Sequence, residues 1–210
     1  MARIDDDIQV NKESFHLETL GAVDIFVVDM IEGFCKAGNM ADASIMDITP
    51  AIEKVLQLYK EQGHEAYFFV DAHKEDAIEF KSFPKHCIEN TEETKIVASL
   101  RPYASPTHII YKNSTNGFHE IKDYLIKCKT GSIDAIIVMG CCTDICVMQF
   151  VLTLKTWLNA QNLDISVIVP LDGVDTYDSG NDFHPAPLYN AMALKIMQQA
   201  GITLCKHIEK

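Results

Sequence analysis

The stretch MGCCTDICVMQF, residues 139–150, places Cys141, Cys142 and Cys146 within six positions of one another in a chain that has seven cysteines. Thiols at that density can serve a metal cradle, a redox pair, or a nucleophile with bystanders. A structural zinc site wants four ligands, usually as two C-x₂₋₄-C pairs. Cys142 and Cys146 have a tolerable spacing, but Cys35, Cys87, Cys128 and Cys205 form no second pair. A thioredoxin-like site wants C-x-x-C, which C-x-x-x-C does not supply. The nucleophile reading fares better. A helix starting near Thr143 sets Cys146 in its first turn, where the positive dipole end favours the thiolate. A nearby lysine lowers the thiol pKa further, and a carboxylate accepts its proton. Cys141 and Cys142 are then small residues packing a tight turn.

Two residues of suitable type stand at comparable places. Asp29 closes the apolar run VDIFVVD (23–29), and Lys112 closes HIIYK (108–112). Each has an ordinary alternative, since strand-end carboxylates often cap helices or accept in turns, and most lysines are solvated. A further set follows the run AYFFVD: the segment VDAHKEDAIEFKSFPKHC (70–87) carries Asp71, His73 and His86. Oxygen and imidazole ligands with open positions suit Zn²⁺, Fe²⁺ or Mn²⁺. An Asp-x-His pair by itself is more often no metal site at all.

Something must bring these residues together. Short apolar runs at 23–29, 66–71, 108–112, 134–140, 165–170 and 202–206 are β-branched or aromatic and nearly continuous in hydrophobicity, as parallel strands covered on both faces should be. Helical patterns fall between them. Thr49 and Pro50 read as N-cap and first turn of a helix to about Gln62, stopped by Gly63; 118–129, 143–160 and 187–201 are the others. The alternation implies right-handed crossovers. The expected architecture is one α/β domain over residues 1–210, with three layers and a mostly parallel central sheet of about six strands. Segments 30–47, 72–94, 113–117 and 171–186 all follow strands, so they lie at the carboxyl edge, where open α/β sheets bind ligands.

Composition narrows the partners. A chain of 210 residues, 48% apolar, can bury a substantial core, while a net charge of −12 with no basic stripe speaks against nucleic acid. No apolar run is long enough to span a bilayer, and the start MARIDDDIQVNKESF lacks the basic end and apolar core of an export signal. An odd number of cysteines in apolar surroundings suits reduced thiols, so the expected location is cytoplasmic. His16, His64, His108, His119 and His207 show no partner pattern. His184, in DFHPAP, stands on an edge loop and reads as a surface residue, with a place bordering a pocket as the alternative. The acidic loop DGVDTYDSGND (172–182) lacks the twelve-residue calcium pattern.

GCCTDICV resembles the G-x-x-T-D-x-C-V motif of the isochorismatase-like cysteine hydrolases, nicotinamidases among them. The resemblance runs from FVVDM in the first strand to GITL near the end, in the same order of Asp, metal segment, Lys and Cys. It implies a catalytic triad of Asp29, Lys112 and Cys146, a cis peptide between Cys141 and Cys142, and an oxyanion hole made by the backbone N–H groups of Cys142 and Cys146. Nicotinamidases carry D-x-H followed by a W/F-P-x-H turn, which FPKH (83–86) matches. That implies a divalent metal, zinc before iron or manganese, on Asp71, His73 and His86. A histidine often found between the two motifs is missing; Glu75, Asp76, Glu79 and Ser82 stand there, and Glu79 is the chosen ligand. Phe34 and Phe83 match positions that sandwich a pyridine ring, with plain core packing as the alternative. The family's D-x-Q-x-D-F is here DMIEGF (29–34), so Ile31 and Gly33 replace Gln and Asp.

The activity implied is hydrolysis of nicotinamide to nicotinate and ammonia through a thioester on Cys146, a step of NAD salvage. A C–N hydrolase for another small amide and a non-catalytic binder of the same fold are the alternatives. The implied partner is a small-molecule amide, and a homo-oligomer is compatible with the family.

Overall fold

Strands form where the apolar runs stand. In the computed structural model, which describes residues 13–210, a short strand β1 (Phe15–His16) precedes β2 (Val23–Val28), α1 (Glu32–Cys35), α2 (Thr49–Glu61), β3 (Ala66–Asp71) and β4 (Ala104–Lys112). Then come α3 (Lys122–Lys129), β5 (Ala135–Cys141), α4 (Met148–Ala160), β6 (Ser166–Pro170), β7 (Val174–Asp175), α5 (Ala186–Gln199), β8 (Thr203–Cys205) and β9 (Ile208–Glu209). The acidic stretch 1–12, on which the expectation of no export signal mostly rests, lies outside the described residues. Among the described residues no helix is long and apolar enough to cross a membrane. All seven cysteines are free.

Seven strands make one parallel sheet in the order β4-β3-β2-β5-β6-β8, with β7 paired to β5, while β1 and β9 form a small separate pair. The chain winds outward from β2 through β3 to β4, then returns to lay β5 on the other side of β2. The order reverses between β2 and β5, and the crevice at such a switch point is where doubly wound sheets hold ligands. One face of the sheet packs on α2 through Ile52, Val55, Leu56 and Tyr59. The other packs on α3, α4 and α5 through Tyr124, Phe150, Leu154, Leu194 and Met197. Burial on both faces explains why the strand sequences are continuous rather than alternating.

Two helix starts differ from expectation. Thr49 is the first residue of α2 rather than its cap, because a 3₁₀ turn over Ala43–Ile48 runs straight into the helix. Capping passes upstream to Asp42, whose carboxylate accepts from Ser44 N–H. The expected helix over 143–160 opens as a π-helical turn, Thr143–Val147, before α4 begins at Met148. Such turns recur at functional sites, and this one carries Cys146.

Candidate active site

The ends of β2, β3, β4 and β5 deliver the chemistry. Asp29 follows β2 directly and adopts φ of +52°, the left-handed region that costs a non-glycine residue about 1–3 kcal/mol, though aspartate tolerates it better than most. Its backbone is tied on all sides. The N–H donates to Phe69 O (3.1 Å), and the carbonyl accepts from Ile31 N–H (2.8 Å) and from the Cys141 thiol (3.2 Å). Cys141 is therefore more than a small residue in a turn. The neighbouring strand must come very close here: a Cβ on Gly140, at φ +121°, would sit 2.0 Å from Val28 O. The Cys141–Cys142 peptide is cis, as the family resemblance implies.

β3 and β4 run side by side with Asp71 and Lys112 as direct partners. Lys112 is fully buried, and its Nζ lies 2.8 Å from Asp29 Oδ2 and donates to Asp71 Oδ1 at 2.6 Å. One ammonium thus serves two buried carboxylates. Asp29 Oδ1 accepts from Asp71 N–H at 3.0 Å, while Oδ2 has no hydrogen-bond donor in line. The Cys146 thiol is the group set against this carboxylate.

Electrostatics follow from burial. Burial pushes Asp29 up to about 6, with Lys112 pulling it down and Asp71 pushing it up again. Burial opposes ionisation of Asp71 too, but Lys112 and the two histidines hold its carboxyl well below the usual range. Lys112 stays charged although burial disfavours it, because two carboxylates face it. Cys146 departs from expectation. Burial raises its thiol well above the ordinary value, outweighing Lys112, and Asp29 and Asp71 add to the rise. Burial therefore favours the neutral thiol of Cys146 over its thiolate.

The second loop folds back on itself to converge its side chains. His73 bridges to Ile88 in parallel fashion, His73 N–H bonding to Cys87 O (2.8 Å) and Glu89 N–H to His73 O (2.9 Å). This returns His86 to His73. Both Nε2 atoms approach Asp71 Oδ2, at 3.2 Å and 3.5 Å, and the ligand atoms of Asp71, His73 and His86 lie within 4.8 Å of one another. Neither ring nitrogen of His73 has a hydrogen-bond partner although the ring is wholly buried. Orphaned buried nitrogens beside a carboxylate fit a metal ion. His86 Nδ1 is 2.7 Å from Pro84 O; donating there leaves the Nε2 lone pair for a metal, the usual arrangement of a ligating histidine. No other group of this kind occurs among the described residues.

Glu79 is not one of the three converging ligands, although it lines the same pocket as Asp71, His86 and Cys146. Its carboxylate accepts from both the N–H and the hydroxyl of Thr115, an anchor between the metal loop and the end of β4 that the sequence did not signal. Glu75 and Asp76 are exposed, and so is Ser82. Phe34 and Phe83 do border the pocket, with ring centroids 5.5 and 6.3 Å from that of His86. Phe80, not singled out from sequence, packs edge-on against both His73 (5.3 Å) and His86 (5.6 Å).

The pocket joining Cys146 to His86 is walled by Phe34, Met40, Phe83, Cys142 and Ile145, and its cavity is only about 20 Å³. That is room for about one water, so a ring can enter only if these walls move. A much larger groove of about 830 Å³ runs along β4, but it lacks both the thiol and the histidines, and chemistry rather than volume marks the site. The two departures from the family's first motif are resolved here. Ile31 is buried and bridges Ile96, and a Cβ on Gly33 would lie 2.7 Å from Cys87 Sγ and 2.9 Å from Glu93 Cβ. Gly33 lets the loop after His86 press against α1. Glu93 Oε2 in turn accepts from Cys87 N–H at 2.7 Å.

Comparison with known proteins agrees with this geometry. The family model for the isochorismatase domain matches residues 25–209. Nicotinamidase 1 of Arabidopsis thaliana is 30% identical over 211 residues, covering 94% of this chain and 84% of that protein. The fold is shared with a nicotinamidase of Bacillus subtilis (TM-score 0.69, 18% identity, 88% of this chain and 99% of that one). It is also shared with a pyrazinamidase of Pyrococcus horikoshii solved in complex with zinc (TM-score 0.65, 23% identity, 87% and 97%). With that agreement over nearly its whole length, the chain belongs to the isochorismatase family, in its nicotinamidase branch, as an amidohydrolase.

Proposed function

We propose that this protein is a metal-containing nicotinamidase, hydrolysing nicotinamide to nicotinate and ammonia through a thioester on Cys146. The observation that carries the reading is the shared ammonium: Lys112 touches Asp29, which faces the thiol, and also Asp71 of the metal group. Nucleophile and ring anchor are thereby held in one rigid frame. Asp29 Oδ2 takes the thiol proton as sulfur attacks the carboxamide carbon. Because the thiol is held protonated by burial, transfer and attack proceed together, and Lys112 stabilises the negative charge throughout. The backbone N–H groups of Cys142 and Cys146 are assigned to the oxyanion, each such donor being worth about 3 kcal/mol. Asp29 returns its proton to the amide nitrogen, ammonia leaves, and the thioester remains. Water then attacks with Asp29 again as base, releasing the acid and the thiol.

Asp71, His73 and His86 are the residues that would hold the metal, and a divalent ion there supplies a Lewis-acid anchor for a pyridine nitrogen. Purified protein is expected to retain one equivalent of divalent metal by elemental analysis, and His73→Ala to lose it, with affinity falling by at least about 100-fold. Undiminished metal in His73→Ala would remove this site from the account.

A pH dependence follows from Asp29. The base must be a carboxylate in the free enzyme, and its carboxyl sits near 6. Below that value the carboxyl holds its own proton and cannot take the thiol's, so kcat/KM should rise with pH through about 6. A profile flat down to about pH 4.5 would exclude Asp29 as base. Ammonia release by the metal-loaded protein tests the substrate itself. Silence on nicotinamide together with turnover of another small amide would keep the triad and replace the substrate.

A further inference from the structure

His184 was expected at the surface. It is instead buried, 4% exposed, and enclosed more completely than any other histidine outside the metal group. Its ring is stacked between Tyr177 (3.9 Å between centroids, 6° apart) and Tyr189 (3.8 Å, 26°). Nδ1 lies 3.0 Å from the carbonyl oxygen of Tyr177, and Nε2 lies 2.9 Å from Asp144 Oδ2. A carbonyl oxygen only accepts, so Nδ1 must donate. Asp144 Oδ1 accepts from the Thr176 hydroxyl at 2.5 Å, so this one carboxyl group ties the His184 ring and the strand end before its loop to the same turn. The groups facing the ring are Asp144 from the π-turn, Tyr177 from the loop after β7, and Tyr189 from α5.

Asp144 lies two residues before Cys146, inside the same π-turn. The loop that holds His184 is itself tied to the pocket rim. Asp178 N–H donates to Asp42 Oδ2 (2.9 Å), and Asp42 N–H donates to Phe34 O (2.9 Å). We propose that His184 is a positioning residue for the reaction: through Asp144 it fixes the turn that aims Cys146, and through its loop it couples that turn to the Phe34 rim. The proposal rests on Cys146 being the nucleophile, and does not depend on nicotinamide being the substrate.

The test uses the full-length, metal-loaded protein. His184→Ala is expected to keep its metal and its near-native circular dichroism while losing kcat on the order of 100-fold, the scale of a displacement of about 1 Å, with KM little changed. Iodoacetamide alkylation of Cys146, followed by mass spectrometry, should slow in parallel whichever amide is the substrate. Free imidazole should restore both rates by refilling the space between the tyrosines. Full turnover and unchanged alkylation in His184→Ala would overturn the proposal, as would imidazole that raises neither rate. Loss of ammonia release from nicotinamide with alkylation as expected would instead fault the substrate assignment.

Discussion

Cys146→Ala protein, folded and metal-loaded, is expected to release ammonia from nicotinamide on the order of a millionfold more slowly than the parent, the scale of removing a nucleophile that works as part of a unit. The size of the effect follows from the surroundings. Asp29 and Lys112 are arranged around one thiol that burial holds in its neutral form, and on the proposed mechanism its sulfur attacks only as Asp29 takes its proton. The other thiols sit differently: Cys35, Cys87, Cys128 and Cys205 are buried, the Cys141 thiol donates to the Asp29 carbonyl, and Cys142 lines the pocket half-buried at the start of the turn. Removing Sγ costs little packing, so stability and metal content should stay close to those of the parent. Acid quenching of the parent during turnover should trap the acyl group on Cys146, visible as a mass adduct on its peptide. Turnover retained by the alanine variant would end the thioester mechanism.

Lys112→Met should show the second large effect, and on stability as well as activity. The ammonium lies between two buried carboxylates, 2.8 Å from Asp29 Oδ2 and 2.6 Å from Asp71 Oδ1. Methionine fills the volume but leaves two negative charges facing each other out of water. Breaking a buried ion pair from one side costs about 3–5 kcal/mol, which urea unfolding of chelated protein would register at neutral pH. The sign of the pH dependence can be worked out. Without the cation, both carboxyls bind protons more readily in the native state than in the unfolded chain. The native state then carries more protons over the intermediate range, and stability falls as pH rises. The variant should therefore recover part of its deficit on mild acidification, and turnover should remain absent at every pH. A variant as stable as the parent at neutral pH would mean that Asp29 and Asp71 are not both ionised around Lys112.

Both predictions concern residues whose types stood out in the chain, but their partnership did not. Asp29 and Lys112 could be singled out because each ends an apolar run at the carboxyl edge of an alternating α/β pattern. Asp71 could be read only as a metal ligand with His73 and His86. Its second task, holding the ammonium that Asp29 also holds, depends on β3 and β4 pairing with Asp71 opposite Lys112. Glu79 shows the reverse case. A carboxylate shortly before FPKH is a reasonable ligand by type and spacing; the fold sets it in the same pocket as Asp71 and His86, with Thr115, thirty-six residues away in the chain, donating to its oxygens. His184 was misjudged because a proline-flanked histidine in a polar loop looks solvated until the loop is seen folded onto α5 and the turn of Cys146.

The sequence by itself determined the class of fold, the edge of the sheet at which the chemistry lies, and the residue types that perform it. Continuous apolar strands, helical periodicity between them and polar residues at strand ends are local properties, and a chain carries them in its order. The tertiary structure decided which strands are neighbours, and so which ends meet. Reversal of strand order between β2 and β5 sets Asp29 beside the turn of Cys146, and burial there outweighs the pull of Lys112 and favours the neutral thiol. Neighbourhood and desolvation arise from contacts across the whole chain, which no local pattern records.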